Sequence, residues 1–361
     1  MYLNLAKKET VWRTTHPCRK VRCLLLQRLG LSVLIGAAAL LVPLSLSAEP
    51  LRSHNLHPLY APFIQLQPMS ALISSPRTTE LSLLHSYGNN FFLDTEDGGN
   101  SEITADLDSE AAYTSIHAQY GLTERLELNL NLTAISHFPG IMDGFLQWYH
   151  GVFGFPNADR ELRPDYRLSF YLENSKGVII DEYTPLIALS ALQIEARMQL
   201  YRGTNIDAAV GTAVKLPILL TRHPLNSGGF DGAVRFFAGY RLAPLEFEAS
   251  IGSAYLSKPA FVRESEFSRI IFPFFFSTEW QLQPRVSALV TINGTSSPFK
   301  TGYRRADNFS AVANFGGSFI IDSQNSIQLS MSQEFLTFAA TDVAVHFRWT
   351  HTVDRSAKSG R

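Results

Sequence analysis

From about Thr78 onward, apolar and polar residues alternate in short runs separated by turn residues. That period of two belongs to strands and not to helices. The clearest run sends Leu126, Leu128, Leu130 and Leu132 one way and Glu127, Asn129, Asn131 and Thr133 the other. Short turns at 121–124, 202–205, 243–244, 283–284 and 322–326 alternate with longer polar stretches at 89–110, 136–164, 218–230, 257–267 and 296–307. Short turns at one end and long loops at the other are the layout of an outer-membrane barrel. The pattern predicts an all-β, transmembrane antiparallel β-barrel of 14 strands: 78–88, 111–120, 125–135, 165–174, 177–183, 189–201, 205–217, 231–242, 245–255, 268–282, 285–295, 308–321, 326–336 and 341–350. The 177–183 crossing is the least supported, and 12 strands is the alternative count.

One face of each strand fits lipid. Val234, Phe236, Ala238 and Tyr240 share a face of one strand, and Leu245, Phe247, Ala249 and Ile251 of the next. Tyr120, Tyr240, Trp280 and Phe319 each end a strand just before a short turn, forming an aromatic girdle. Tyr201 stands at the same height on the inward parity, which a bulge would correct. The opposite face carries Glu195, Arg197, Lys215, Arg235, Arg241, Glu246, Glu248, Glu279, Arg285, Glu334, His346 and Arg348. Mixed charge lining a lumen fits two arrangements, a hydrated channel or a closed interior filled by interstrand ion pairs.

Three segments stand outside the strand pattern. Residues 49–77 contain Pro50, Pro58, Pro62, Pro68 and Pro76, which exclude a regular helix or central strand. They also hold Leu56, Leu59, Tyr60, Phe63, Ile64, Leu66 and Met69, so the segment is expected inside the barrel as a plug, with a disordered tether as the bland reading. In the 136–164 loop, Ile141, Phe145, Trp148, Tyr149 and Val152 fall on one helical face. Such a helix is expected to cap or enter the mouth, where Phe145, Trp148 and Tyr149 would meet an apolar solute, or to pack on the rim. Asp106, Asp108 and Glu110 alternate onto one side of an acidic loop, but their spacing lacks the fixed offsets of an EF-hand; an ordinary solvated loop is expected there, and no metal.

Composition narrows the class. The 361 residues are 45% hydrophobic and 17% charged, too apolar for a disordered chain. Only 29–46 approaches the length of an apolar membrane helix, which excludes a polytopic helical protein. Lys7, Lys8, Arg13, Arg19, Lys20, Arg22 and Arg28 precede that run and Ser47-Ala48 follow it, so residues 1–48 read as a cleaved signal peptide, with an uncleaved anchor as the alternative. Removing those seven bases and the one acid, Glu9, shifts the net charge of −1 by six, to −7. No basic footprint for nucleic acid is left. Both cysteines, Cys18 and Cys23, leave with the leader. The expected organisation is signal 1–48, plug segment 49–77, barrel 78–350 and tail 351–361.

No HExxH, GxSxG, Walker or usable GxGxxG motif occurs, and no cofactor is expected. Ser136, His137, Asp143 and His150 lie together in the helix-bearing loop, but sequence neighbours make a poor nucleophile–base pair, so the chain is not expected to be an enzyme.

The run Tyr120-Gly121-Leu122-Thr123-Glu124-Arg125-Leu126-Glu127-Leu128, with Ser136-His137-Phe138-Pro139-Gly140, Asp143-Gly144-Phe145, His150, Phe153-Gly154-Phe155-Pro156 and Arg160, resembles an uncharacterised family of exported Gram-negative proteins treated as outer-membrane barrels of unknown function. The family's loop reads closer to Ser-His-Ser-Gly-Gly, from which Phe138 and Pro139 depart. The resemblance covers nearly the whole exported chain and implies a barrel without an assigned activity. Fourteen strands with an N-terminal plug are also similar in architecture to long-chain fatty-acid transporters, an analogy of fold alone. The expected function is passage of a small hydrophobic or amphipathic solute across the outer membrane, with lipid and lipopolysaccharide around the wall. The alternatives are a closed structural or surface-interaction barrel and, behind it, a barrel-borne hydrolase.

Overall fold

The computed structural model describes residues 49–98, 101–154, 160, 163–218, 227–336 and 340–354; the expected leader lies outside them, as does 355–361. The first strands are β1 (Thr78–Gly98), β2 (Ser101–Gly121) and β3 (Leu126–Phe138), then β4 (Ser169–Asn174) and β5 (Gly177–Glu182). Next come β6 (Leu186–Arg202), β7 (Ile206–Leu216), β8 (Asp231–Leu242), β9 (Leu245–Tyr255) and the two-residue β10 (Ile270–Ile271). The set ends with β11 (Pro273–Gln283), β12 (Val286–Thr295), β13 (Ser310–Ile320), β14 (Asn325–Leu336) and β15 (Val343–Asp354). One helix, α1 (Asp143–Phe153), follows β3.

All pairings are antiparallel, and twelve strands close on themselves in the order β1, β2, β3, β6, β7, β8, β9, β11, β12, β13, β14, β15, with β15 returning to β1 from Thr78↔Asp354 to Asn89↔Val343. Closure removes the edges that lipid could not satisfy. The count is therefore twelve, the alternative, and not fourteen. Segments 165–174 and 177–183 do not cross: they form the β4–β5 hairpin, which pairs with β2 from Asp108↔Ser169 to Thr104↔Glu173, beyond the point where β3 leaves it at Glu110↔Phe138. Six residues reach about 20 Å, whereas a tilted crossing needs about 9–11 residues. The stretch 89–110 is likewise strand and not loop, since β1 and β2 stay paired to Gly98↔Ser101. At the other terminus β15 runs on to Asp354, so the first four tail residues belong to the wall.

The predicted short turns all lie at the end where β1 begins and β15 finishes. In the last of them Asp322 accepts the Gln324 and Asn325 backbone N–H groups and the Asn325 amide, which holds its carboxyl below the usual carboxylate range. Burial alternates along the strands as the sequence does: in β8, Asp231, Ala233, Arg235 and Phe237 are buried while Val234, Phe236 and Tyr240 are exposed. Tyr120, Tyr240, Trp280 and Phe319 are all exposed at the short-turn end. Tyr201 joins them because the β6–β7 register shifts between Gln199 and Tyr201, so that Leu200 and Tyr201 both face outward and Gln199 stays buried.

Outward Phe236 sits near the middle of β8, at the level of bilayer hydrocarbon. Phe236→Arg is expected to destabilise the barrel by ~2–4 kcal/mol, read as an earlier urea midpoint in vesicles. Retained stability would mean that this face is not against lipid.

Candidate functional site: the occupied lumen

Residues 49–77 cross the barrel interior twice. Glu49 starts near the short-turn end, where Gln328 donates to its carbonyl (2.6 Å). The rising arm passes Arg52, within 2.6 Å of His117 Nδ1, and His54, whose ring nitrogens lie 2.9 Å from Ser86 Oγ and 2.7 Å from Ser115 Oγ. At the apex Leu56, Leu59, Tyr60, Phe63 and Ile64 are buried. There they join Leu107, Phe170, Leu172, Ile180, Leu256, Phe267 and Phe299, drawn from β2, the β4–β5 hairpin and the long loops. The Phe63 ring lies 5.8 Å from Phe267 and 6.0 Å from Phe299. The long-loop end of the barrel is thus closed by an apolar core, built partly from the two strands expected to cross the membrane.

The descending arm is held mainly by charged wall residues, with a smaller apolar cluster of Met69, Ala71 and Ile73 against Ala209, Phe237 and Phe275. Lys215 donates to the Pro62 carbonyl and pairs with Asp231 (2.8 Å), whose other bonds come from Ile64 N (2.9 Å) and Ser257. Arg235 donates to Gln67 O (2.8 Å) and Arg197 to Ser70 O (2.6 Å). Glu248 accepts Ser70 Oγ (2.6 Å) and Ala71 N (2.8 Å); Gln199 holds Ile73 N and Ala71 O; Glu127 accepts Ser74 N (2.7 Å). Prolines deny this segment a ladder of its own, so side chains of the wall supply the partners that its backbone requires.

The wall charges also pair with each other. Arg197 meets Glu127 directly opposite on β3 (2.9 Å), and both are fully buried. Arg235 on β8 reaches Glu195 on β6 (2.7 Å) over β7, where Gly211 lies between: a Cβ there would come within 2.7 Å of Glu195 Oε1 and 3.0 Å of the Phe237 ring. The Arg197 and Arg235 guanidinium groups also face the Phe237 ring at 5.2 and 4.7 Å. Arg348 pairs with Glu80 (2.7 Å), and Arg241 with Asp207.

Of the predicted lumen residues, Glu195, Arg197, Lys215, Arg235, Glu248, Glu279 and Arg348 are buried in the interior, with Glu279 accepting Ser287 Oγ; Glu246 is half-buried beside them. Arg285 is not among them. It is exposed in the turn between β11 and β12, because β12 begins only at Val286 and its parity does not extend to the turn. The sequence reading passed over the acids Glu80, Asp207 and Asp231 and the histidines His54 and His117. Strand parity marked every wall member of that set as inward; only pairing across strands reveals which ones meet.

The α1 candidates stand elsewhere. Phe145 and Trp148 are exposed and Tyr149 half-buried, while Asp143 and Leu146 form the covered side. Helical periodicity located the helix but not the face it turns to the protein, which is chosen by the bonds of Asp143. The acids Asp106, Asp108 and Glu110 are not in a solvated loop but buried on β2: Asp106 takes Arg167 (2.7 Å) and Arg163 (3.4 Å), and Glu110 takes the Tyr87 hydroxyl with Ile141 N (2.7 Å) and Met142 N. Ser136 and His137 lie on opposite faces of β3, with the Tyr113 hydroxyl 3.1 Å from His137 Nε2 on the inner side. Asp143 is engaged by Arg160 and Tyr166 N. Among the described residues no group of three or more His, Cys, Asp or Glu is placed to hold a metal.

Two voids flank the descending arm. One, of about 80 Å³, is lined by apolar Tyr60, Phe63, Ile64, Phe274 and Val312 together with polar Asn55, Gln65, Gln67, Arg235, Ser250 and Asn293. The other, of about 20 Å³, lies on the far side of Gln65–Met69 against His117, Asn129 and Glu195. Arg235 Nε and Gln65 and Gln67 Oε1 have no protein partner.

A closed twelve-stranded barrel with an outer apolar belt and a charged interior defines the class of outer-membrane barrels. The chain belongs to the family described as protein of unknown function (DUF3187), whose model matches residues 32–353. No curated protein matches the sequence. Among solved structures it is similar to the COG4313 outer membrane channel from Pseudomonas putida F1, at 9% identity over 80% of this chain and 100% of that one, with a TM-score of 0.52. Lesser likenesses are to the NanC porin (6% identity, 76% and 99% coverage, TM-score 0.45) and a Pseudomonas aeruginosa FadL homologue (10%, 79% and 91%, 0.37).

Removing one partner of the fully buried Arg197–Glu127 pair strands the other charge. Glu127→Gln alone is expected to cost about 3–5 kcal/mol. Glu127→Gln with Arg197→Met should recover most of it in a double-mutant unfolding cycle. Additive losses would show that the two groups do not act as a pair.

Proposed function

We propose that this protein is an outer-membrane channel for a small amphipathic solute, with residues 49–77 as a displaceable occupant of its lumen. One observation carries the reading: the descending arm is tied to the wall mostly by hydrogen bonds and is flanked by a cavity of about 80 Å³ lined by both apolar and polar side chains. Each of these hydrogen bonds to a charged group is worth about 1.5–3 kcal/mol net, and none of them belongs to the ladders that hold the strands together, so the arm can shift without taking the barrel apart. The mixed lining suits a solute that carries both apolar and polar groups. The fold shared with a solved outer membrane channel accords with this reading.

A second reading, a closed structural barrel, draws on the ion pairs Arg197–Glu127, Arg235–Glu195 and Arg348–Glu80, which fill the interior independently of the insert. Conductance in planar bilayers separates the two. Deletion of 50–76 is expected to raise single-channel conductance several-fold. Ser70 Oγ and Glu248 Oε1 are 2.6 Å apart, so Ser70→Cys with Glu248→Cys, bridged by a short thiol cross-linker, should abolish any conductance of the full chain. A deletion variant that migrates as a folded barrel yet never conducts would establish the closed barrel. Conductance unaffected by the bridge would mean that the arm gates nothing.

A further inference from the structure

The helix α1 is an apolar surface on the outside of the barrel, and its place in the register shows what covers it. β1 and β2 turn their even and odd residues respectively inward, as buried Ser82, Ser86, Ser115 and His117 show. Asn89, Phe91 and Glu110 therefore lie on the outer parity, and all three are covered, Glu110 by Gly140–Met142 and Asn89 and Phe91 by Arg160. Glu110 accepts the Ile141 and Met142 backbone N–H groups at the start of α1. Gly140 makes room for it with φ +80°, and a Cβ there would collide with the Glu110 carboxylate. Arg160 donates to Asp143 (3.3 Å), Asn89 Oδ1 (2.6 Å) and Asp342 (2.8 Å), and lies 4.3 Å over the Phe91 ring. The helix is thus strapped to the outer wall and does not enter the mouth.

Its other side points away from the protein. Ile141, Phe145, Trp148, Val152 and Phe153 are each more than half exposed. Tyr149 stacks with Phe145 (6.2 Å) and lies 4.8 Å from Phe153, which makes a comb of rings along one side. The segment 141–153 contains no Lys or Arg, and its single acid, Asp143, is tied to Arg160.

Height decides the occupant. The Asn89↔Glu110 pair stands ten residues above Thr79↔Tyr120, the level of the aromatic girdle. Ten residues at about 3.3 Å, tilted about 40°, rise about 25 Å, the height of a barrel's apolar band. The helix begins where that band ends, on the same two strands that expose Leu81, Leu83 and Ile116 lower down.

We infer that α1 is an interfacial helix whose Phe145, Trp148, Val152 and Phe153 insert among the upper acyl chains of the outer lipid leaflet. An aromatic-rich helix lying in the interface plane, clamped to the wall by its polar side, is the arrangement such a surface favours.

Trp148 reports on this directly. The chain has three other tryptophans, Trp12, Trp280 and Trp349; with these changed to Phe, the full chain is reconstituted in phosphatidylcholine vesicles with and without brominated acyl chains. Bromines near the headgroup end of the chain are expected to quench Trp148 at least twofold more than bromines near the bilayer centre, and aqueous iodide to quench it little. Quenching by iodide with no response to bromolipid would overturn the inference. So would protection from both quenchers with a dimer on native mass analysis, which would assign the face to a second copy. Should the tryptophan-depleted chain fail to reconstitute, a nitroxide on Val152→Cys in a Cys18→Ser, Cys23→Ser chain reads the same contact. Oxygen is then expected to relax it more strongly than a water-soluble nickel chelate, and the reverse order overturns the inference.

Discussion

Every backbone amide and carbonyl that leaves water needs a partner, and a proline-rich segment inside a barrel provides few of its own beyond the single turn in which Tyr60, Ala61 and Phe63 donate to His57, Pro58 and Tyr60. Residues 49–77 meet that demand with side chains of the wall, from Gln328 at Glu49 through Asp231 at Ile64 to Glu127 at Ser74. The wall has the converse problem, because Arg197, Arg235, Lys215 and Glu248 are buried charges that would be costly if left unmatched. Each deficit satisfies the other. A lumen lined with mixed charge and an insert with five prolines are therefore one design feature, written in two parts of the chain.

The transmembrane alternation was legible because lipid enforces it: a slip of one residue in β8 would turn Asp231 and Arg235 outward together. The same force explains why the girdle and the short turns could be read directly. Strand ends away from lipid obey no such rule. Asp106, Asp108 and Glu110 looked like a loop because the outward side of upper β2 is covered by Arg163, Arg167 and the start of α1, and protein cover tolerates acids that lipid does not. The β4–β5 hairpin misled for the complementary reason. Phe170, Leu172 and Ile180 are apolar because they pack on the insert's apex, and apolar residues facing a core resemble apolar residues facing lipid.

Within the lumen, parity identified nearly all of the inward charges but could not show how they pair. Arg197 and Glu127 lie opposite each other on strands separated in sequence by the whole helix-bearing loop and the β4–β5 hairpin. Arg235 and Glu195 meet only because Gly211 leaves space between them, a relation that strand order makes and residue spacing does not. In α1 the reverse held. The periodic stripe was plain, but a stripe shows only that one side is apolar, not whether that side meets protein or membrane.

The seam between β1 and β15 has an assembly consequence. The insert immediately precedes β1, and Thr78 at its end pairs with Asp354 of the last strand. Its partners are spread over the wall: Ser86 on β1, His117 on β2, Glu127 on β3, Arg197 on β6, Lys215 on β7, Arg235 on β8, Glu248 on β9 and Gln328 on β14. The full set of contacts exists only when the cylinder has shut around it. The insert thus works as an internal gauge of strand order, and its seating is coupled to completion of the wall: a register error in any one of those strands turns the partner that strand supplies away from it.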